Sequence, residues 1–309
     1  MTGRYALFLN RATSASPCQH LQERISTLVT SGEDYKALSL FQKLQDQIPL
    51  DHSLSLYILK ACINLSLLRP AKLLHDQILR YGISIDGLIG NSLITLYARC
   101  GSLDEGQRMF DLLQNRSSVS WSALIGGYVQ HGHSHKAIEI FDEMQYKGLC
   151  LNRSILLSIL KACGSICGIL KGMILHHEII VEGSKYGYGD VVTVVESALL
   201  DMYAKCGCLD EAQKVFDSLP DADVIAWNTL LSGYSQHGFG HESLSLFPVM
   251  QEQGLLPDEV TFSCLLKACS TTGSISEGQK IHAELRGNGI LRNNLVIGTS
   301  LVDMYAKCG

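Results

Sequence analysis

Three short phrases recur in a fixed order along the chain, and they constrain its fold more than any other feature of the sequence. Their copies are LKAC at 59–62, 160–163 and 266–269, YARCG or YAKCG at 97–101, 203–207 and 305–309, and WSALIGGYVQHG or WNTLLSGYSQHG at 121–132 and 227–238. Self-similarity at a fixed period is the signature of a repeat protein. The spacing predicts a super-unit of about 100 residues that holds three dissimilar repeats.

The phrases divide the chain into a leader at 1–17 and an array of repeats at 18–309. Standard, long and short units alternate in this array. They span 18–51, 52–86, 87–117, 118–152, 153–192, 193–223, 224–258 and 259–294, with a partial unit at 295–309. The unit at 153–192 is enlarged near GSKYGYGDV, residues 183–191, where glycine and tyrosine predict a surface loop.

Each unit has the apolar pattern of two helices. In the unit 224–258, Leu230 and Tyr234 share one helical face, and Leu244, Phe247 and Met250 form the stripe of a second helix. Neither helix has enough apolar surface to be stable alone, so neighbouring units must stack to bury a continuous core. We therefore expect an all-α fold, a right-handed α-solenoid (superhelix) of helix-turn-helix repeats.

Two local features of the second helices carry further expectations. Ser102 with Glu105, and Ser274 with Glu277, have the spacing of a capping box. Pro248 falls inside a second helix, where an interior proline removes a hydrogen bond and costs about 3 kcal/mol. We expect a bend at this proline.

Eleven cysteines are present, and six of them occupy equivalent repeat positions. These six are Cys62, Cys163 and Cys269 in one class, and Cys100, Cys206 and Cys308 in another. Cysteines placed by a repeat are typical of small packing residues that stay reduced inside a cell, rather than of disulfides or metal ligands.

Charge and hydropathy limit the partners of the chain. The net charge of −5 and pI of about 6.1 weigh against extensive phosphate contacts, because a polyanion binder usually has a basic patch. No apolar run approaches the ~18–20 residues that span a bilayer, so we expect no membrane partner. Residues 1–22 contain Arg4 and Arg11 and no acidic residue, a composition typical of an organellar transit peptide but also of an ordinary leader.

The phrases NTLLSGYSQHG, YAKCGCLDEAQKVFDSLP and GQKIHAELRGNGI resemble the pentatricopeptide repeat family. Within it they are similar to the plant subclass that alternates standard, long and short repeats, and the resemblance covers 18–309. The tetratricopeptide repeat is the competing helical repeat, but its constant 34-residue period and Trp-x2-Leu-Gly pattern do not fit. The last YAKCG copy lacks the continuation of the earlier copies, so we expect a truncated fragment.

The resemblance implies sequence-specific binding of single-stranded RNA, one base per repeat, read by two or three side chains. In this family the fifth and the last residues of a unit read the base, and apolar residues flank it. The reading pairs would be Asn91 with Ser117, Ser122 with Asn152, Ser197 with Asp223, and Asn228 with Asp258, flanked by Val119, Val194 and Ile225. All eight reading residues can hydrogen-bond a base edge, although Asn and Ser near a helix start are also common caps.

By the family's recognition code these pairs imply cytosine, adenine, guanine and uracil in that order. The long units have Leu56, Leu157 and Ser263 at the fifth position, and we expect them to space rather than read. The implied target, with the N-terminal unit on the 5′ side, is C-A-N-G-U-N. Gln22 in the first unit fits the code poorly, and that unit is expected to act as a cap.

No catalytic residue, metal site or cofactor is predicted, and no small-molecule substrate. Some members of the subclass end in a zinc deaminase domain, which needs His-x-Glu and Cys-x-x-Cys. His176 and Glu178 match the first half, but His176 recurs as a repeat residue and no Cys-x-x-Cys occurs. The tract His131-Gly-His133-Ser-His135 is expected to be a solvated turn rather than a metal site.

The resemblance further implies a mitochondrial or chloroplast protein that specifies C-to-U RNA editing or another RNA modification or processing step. Its partners would be single-stranded organellar RNA and a deaminase-bearing protein acting in trans. The rival function is a protein–protein interaction scaffold that binds no RNA.

Overall fold

The computed structural model describes residues 17–44, 49–85, 87–182, 192–291 and 294–309. Within these ranges all regular secondary structure is helical, which confirms the predicted all-α class. The helices are α1 (Pro17–Thr30), α2 (Asp34–Leu44), α3 (His52–Leu65), α4 (Leu68–Arg80), α5 (Gly87–Arg99), α6 (Leu103–Leu112), α7 (Ser118–Gln130), α8 (Ser134–Tyr146), α9 (Arg153–Ser165), α10 (Ile169–Glu182), α11 (Val192–Cys206), α12 (Leu209–Ser218), α13 (Val224–Gln236), α14 (Gly240–Glu252), α15 (Glu259–Thr272), α16 (Ile275–Gly287) and α17 (Leu295–Cys308). The leader up to residue 16 and the loop predicted at 183–191 lie outside the described residues.

The helices form two compact units, divided between Cys150 and Leu151. The first unit contains α1–α8 and the second contains α9–α17. Inside each unit, the odd-numbered helices up to α15 pack against the even-numbered helix that follows, and successive odd-numbered helices pack against each other. The odd-numbered helices are therefore the first helices of successive repeats, and their stacking buries the apolar stripes that single repeats cannot bury.

The same aromatic contact stabilises corresponding repeats of the two units. The ring of Trp121 meets that of Phe110 edge-on with centroids 4.7 Å apart, and Trp227 meets Phe216 at the same separation. Both tryptophans are at most 2% exposed. Edge-to-face aromatic pairs are worth about 0.5–1.5 kcal/mol beyond their buried area, so this contact fixes how a short repeat meets the standard repeat after it.

The recurring QHG phrase also connects neighbouring repeats. The ring of His131 covers Gly101, and the ring of His237 covers Gly207, with ring atoms 3.0 and 2.9 Å from where a Cβ would stand. Both glycines have positive φ, +74° and +75°, which other residues rarely adopt. Nε2 of His131 is hydrogen-bonded to the Ala98 carbonyl at 3.0 Å. His131 is thus a packing residue of the turn.

A histidine on the second helix of each long repeat is hydrogen-bonded to a tyrosine of the following short repeat. The Nδ1–Oη distances are 2.8 Å for His75–Tyr97, 2.8 Å for His176–Tyr203 and 3.0 Å for His282–Tyr305. Burial lowers the pKa of His75 and of His176, and burial, reinforced by nearby acidic groups, raises the pKa of Tyr97 and Tyr203 to about 12. His176 therefore has a structural role shared with two other repeats.

The repeat cysteines are packing residues, as predicted. Cys62, Cys163 and Cys269 are fully buried. Cys206 donates its thiol to the Cys163 carbonyl at 3.8 Å, and Cys308 donates to the Cys269 carbonyl at 3.3 Å. Since these contacts join long and short repeats, the two cysteine classes pack together at these two junctions.

The predicted capping boxes at the second helices are wrong. Ser102 and Ser274 precede α6 and α16, but neither side chain accepts a hydrogen bond from the helix. Ser102 instead donates to the Glu105 carboxylate at 3.1 Å. Pro248 lies inside α14 with its ring exposed, and α14 continues through it. The bend expected at Pro248 stays a prediction.

Candidate nucleic-acid interface

The last residue of a repeat begins the first helix of the next repeat. Six such residues have a side-chain oxygen that accepts the backbone N–H three residues later, at 2.7–3.3 Å. They are Asp51, Ser117, Asn152, Asp223, Asp258 and Asn294. These residues therefore do cap helices, which was the alternative to base reading. The capping hydrogen bond fixes the position of each side chain.

Two of the predicted reading pairs are in direct contact. Asn91 Nδ2 donates to Ser117 Oγ at 3.1 Å. Asn228 Nδ2 donates to both carboxylate oxygens of Asp258, at 2.9 and 3.1 Å. The fifth residue of these repeats thus lies beside the last one, as a two-residue contact with one base requires.

The pair Asn228–Asp258 belongs to a small hydrogen-bond network. Thr261 Oγ1 donates to Asn228 Oδ1 at 2.6 Å, and the Thr261 N–H donates to Asp258 Oδ1 at 2.9 Å. Asn228 is only 7% exposed, whereas Asp258 is exposed. Partial burial opposes ionisation of Asp258, but the hydrogen bonds from the Thr261 N–H and the Asn228 amide outweigh it and hold the Asp258 pKa below its usual value. The exposed group of this pair is an ionised carboxylate.

The predicted pair of Ser197 and Asp223 is placed differently. Ser197 is exposed and donates to the Thr193 carbonyl at 2.7 Å, while Asp223 is exposed and caps α13. No hydrogen bond joins these two side chains in the part of the chain that is described. Ser122 donates to the Ser118 carbonyl at 2.8 Å. Asn152, its predicted partner, lies in the second unit, where it caps α9.

The second residue of most repeats is apolar and exposed. The predicted flanking residues Val119, Val194 and Ile225 are 56%, 41% and 72% exposed. Sequence reasoning missed three equivalent residues that are exposed to a similar degree, namely Leu88, Val260 and Val296. Their shared second position in the repeat was the signal that could have found them.

One further pair was missed by the sequence analysis. Gln22 Nε2 donates to Asp51 Oδ2 at 3.2 Å, and Asp51 caps α3 as Asp258 caps α15. The first repeat therefore has the same fifth-to-last contact as the repeat that contains Asn228.

The long repeats differ at the fifth position. Leu56 and Leu157 are half-buried and have no hydrogen-bonding group, and Ser263 is half-buried. Two of the three long repeats thus have no side chain at this position that could recognise a base edge.

The described ranges contain neither a metal-binding cluster nor a membrane-spanning helix. No group of three or more His, Cys, Asp or Glu residues there is arranged to hold a metal ion. None of the helices in those ranges is long and apolar enough to cross a membrane.

These features define an α-helical repeat protein with a row of polar and apolar side chains on its first helices. Comparison with known proteins identifies the repeat. The model described as PPR repeat matches residues 91–118, 119–149, 197–224 and 260–290, and that described as PPR repeat family matches 222–271. The chain belongs to the pentatricopeptide repeat family.

Relatives in Arabidopsis thaliana support the same assignment. Pentatricopeptide repeat-containing protein At1g03540 is 35% identical over 82% of this chain and 40% of its own length. The protein At4g18520, chloroplastic, is 33% identical over 92% of this chain and 45% of its own length, and At3g02330, mitochondrial, is 35% identical over 88% and 30%. The chain spans less than half the length of these relatives.

Solved structures share the fold. The pentatricopeptide repeat protein PPR10 in complex with an 18-nucleotide psaJ RNA element superposes with a TM-score of 0.69 at 16% identity, over 94% of this chain and 48% of that one. PPR10 from maize superposes with a TM-score of 0.52 at 20% identity, over 94% of this chain and 46% of that one. These similarities confirm the predicted fold class, an α-solenoid of helix-turn-helix repeats.

Proposed function

We propose that this protein binds single-stranded RNA in a sequence-specific manner, with one base for each reading repeat. The observation that carries the proposal is the contact between Asn228 and the exposed Asp258 carboxylate. It places two polar side chains from successive first helices at one point, beside the exposed apolar Ile225 and Val260. A base could lie between such apolar side chains while its edge meets the polar pair.

The last residue of the repeat supplies the donor or acceptor that sorts the bases. An ionised Asp258 only accepts hydrogen bonds, so it favours uracil and guanine, which present a ring N–H. Cytosine and adenine present a ring lone pair at the same place, which a carboxylate repels. Asn152 and Ser117 have donors and so suit these two bases.

The fifth residue then separates large bases from small ones. Asn228 and Asn91 are larger and leave room for a pyrimidine, whereas Ser122 and Ser197 are smaller and leave room for a purine. With the family orientation, the four pairs give the target C-A-N-G-U-N. The long repeat at the third position has Leu157 instead of a polar side chain and accepts any base, and the sixth position, at Ser263, is left unassigned.

The biological role we propose is that of an organellar specificity factor for C-to-U editing or RNA processing. Two kinds of relative support it: Arabidopsis proteins whose names include chloroplastic or mitochondrial, and PPR10, which was crystallised with RNA. The alternation of standard, long and short repeats supports membership in the plant subclass, and some members of that subclass end in a zinc deaminase domain. A deaminase-bearing protein acting in trans would supply the chemistry.

The direct test is a gel-shift assay of the purified chain with two single-stranded RNAs. One contains C-A-N-G-U-N in an unstructured context, and the other contains the same bases in scrambled order. Tighter binding to the first RNA is expected. Equal weak binding to both RNAs would contradict sequence-specific recognition. No binding to either RNA would favour the protein-interaction scaffold.

A further inference from the structure

The long repeats carry a lysine on the face that includes the reading position. Lys60, Lys161 and Lys267 are the ninth residues of their repeats and belong to the LKAC phrases. Each follows the fifth residue by one helical turn, so Lys60 lies next to Leu56, and Lys161 next to Leu157, on one side of the helix. All three lysines are exposed, whereas the leucines are half-buried.

These lysines differ in their ion pairing from most other lysines of the described residues. Eight lysines elsewhere form ion pairs with carboxylates, including Lys205 with Asp201 and Lys307 with Asp303 on first helices of short repeats. Within the described ranges, Lys60, Lys161 and Lys267 form none. Their charges are therefore available to an external anion.

The anion that fits is the phosphate of an RNA strand. An exposed lysine is a compact point charge on a flexible stem, which suits a phosphate rather than the planar edge of a base. The ninth residue in other repeats is uncharged or acidic, for example Gly126, Ser232 or Asp201. Because the chain has a net charge of −5, three unpaired cations on the reading face would be a large part of its local attraction for RNA.

We propose that Lys60, Lys161 and Lys267 each bind one phosphate of the bound strand, so that the long repeats hold the RNA backbone where they read no base. This inference rests on the proposed RNA binding and adds a role for every third repeat. It assigns the two recurring tasks, base selection and backbone attachment, to different repeats. It also predicts that the lysines contribute equally to all RNA sequences.

The test is a salt titration of RNA binding by fluorescence anisotropy, from about 0.05 to 0.3 M salt. Each of Lys60→Gln, Lys161→Gln and Lys267→Gln should reduce the slope of log affinity against log salt by about 0.7, the value for one phosphate of a single strand. This corresponds to about four-fold weaker binding at 0.15 M salt. In the triple variant, the slope of log affinity against log salt should be smaller by about 2 than in the wild type. The loss should be the same for C-A-N-G-U-N and for scrambled RNA.

Two matched variants control for charge and for folding. Lys280→Gln removes a lysine from α16, the second helix of the repeat that contains Lys267, and it should leave the slope unchanged. Lys161→Arg keeps the charge and should keep the slope of the wild type. Circular dichroism of every variant checks that the helices are retained.

The two proposals fail in different ways. A triple variant with the slope and affinity of the wild type would overturn the phosphate role, even if the wild type still prefers the target RNA. A change in base preference, instead of a uniform loss, would also overturn it. A wild type that does not discriminate between the RNAs, while the lysine variants reduce the slope, would overturn base reading and keep the phosphate contacts.

Discussion

The side-chain amide of Asn228 donates to both carboxylate oxygens of Asp258, which begins the first helix of the next repeat. A residue inside α13 is thereby fixed in place by the residue that caps α15. The proposed recognition of a base depends on this link between repeats, because the two side chains must act on one base edge together.

Substitution Asn228→Ser should move the base preference at this repeat from uracil toward guanine. The carboxylate of Asp258 still accepts a ring N–H, while the smaller serine leaves room for a purine. Binding to RNAs that differ only at that base measures the change. The reciprocal variant Ser197→Asn, whose repeat ends in Asp223, should move its preference from guanine toward uracil. Unchanged preferences in both variants would remove these pairs from the interface.

Substitution Gly127→Ala should destabilise the protein by about 1–3 kcal/mol, because overpacking forces neighbouring side chains and backbone to shift. A Cβ at this position would stand 2.5 Å from the Ala98 Cβ and 3.0 Å from its Cα. Urea unfolding of the two proteins measures the difference.

The matched variant for that experiment is Gly298→Ala inside α17, where a Cβ would meet nothing within 4 Å. Alanine is the better helix former, so this variant should be more stable by up to about 1 kcal/mol. A similar loss in both variants would show that the close approach of α5 and α7 at Gly127 is not what the substitution disturbs.

Acidification should destabilise the junctions between long and short repeats. Burial lowers the pKa of His75 and His176 below the usual 6.5, so folding favours their neutral forms. The stability that the neutral histidines contribute is fully present above pH 6.5. It is lost as the pH falls below 6.5 toward the lowered pKa values of the folded protein. The melting temperature should therefore be lower near pH 5 than near pH 7.5.

The double variant His75→Gln and His176→Gln should lose part of this dependence on pH. A control variant, His52→Gln, removes an exposed histidine and should keep it. Melting temperatures at both pH values, measured for all three proteins, test the assignment. A double variant with the full wild-type difference would show that other groups cause it.

Substitution Gln253→Ala should reduce stability by about 1–2 kcal/mol, because it removes the partner of a buried donor. Gln253 Oε1 accepts the Trp227 Nε1–H at 3.3 Å, and Trp227 is 2% exposed. The equivalent Trp121 Nε1 has no partner in the described part of the protein, because Lys147 stands where the glutamine would be. Lys147→Ala should thus lower the free energy of unfolding, measured with urea, by less than Gln253→Ala does. Equal losses in the two variants would contradict this explanation.

The helix pairs and their stacking could be predicted from the sequence because the period of the apolar residues depends only on helix geometry. Buried Leu230 and Leu231, for example, follow directly from it. The positions of the proposed reading residues also follow from the repeat. Their contacts do not, since residue type alone gave no reason to pair Gln22 with Asp51.

The capping boxes show a second limit. Ser102 has the right spacing to Glu105, but its ψ of 60° is far from the extended backbone of an N-cap such as Asp258, with ψ of −174°. The side chain therefore cannot reach the helix N–H groups. Backbone angles at a turn depend on how two helices pack, and spacing in the sequence does not contain that information.

The helix-starting position at the end of each repeat has a consequence for evolution. Aspartate, asparagine and serine start helices almost equally well, and they are also the residues proposed to tell bases apart. If these residues read bases as proposed, exchanging one for another at Asp223 or Asp258 would change the RNA sequence that is bound, and the helix would remain nearly as stable as before. Single substitutions could then change which transcript is bound, and each variant along the way would still fold.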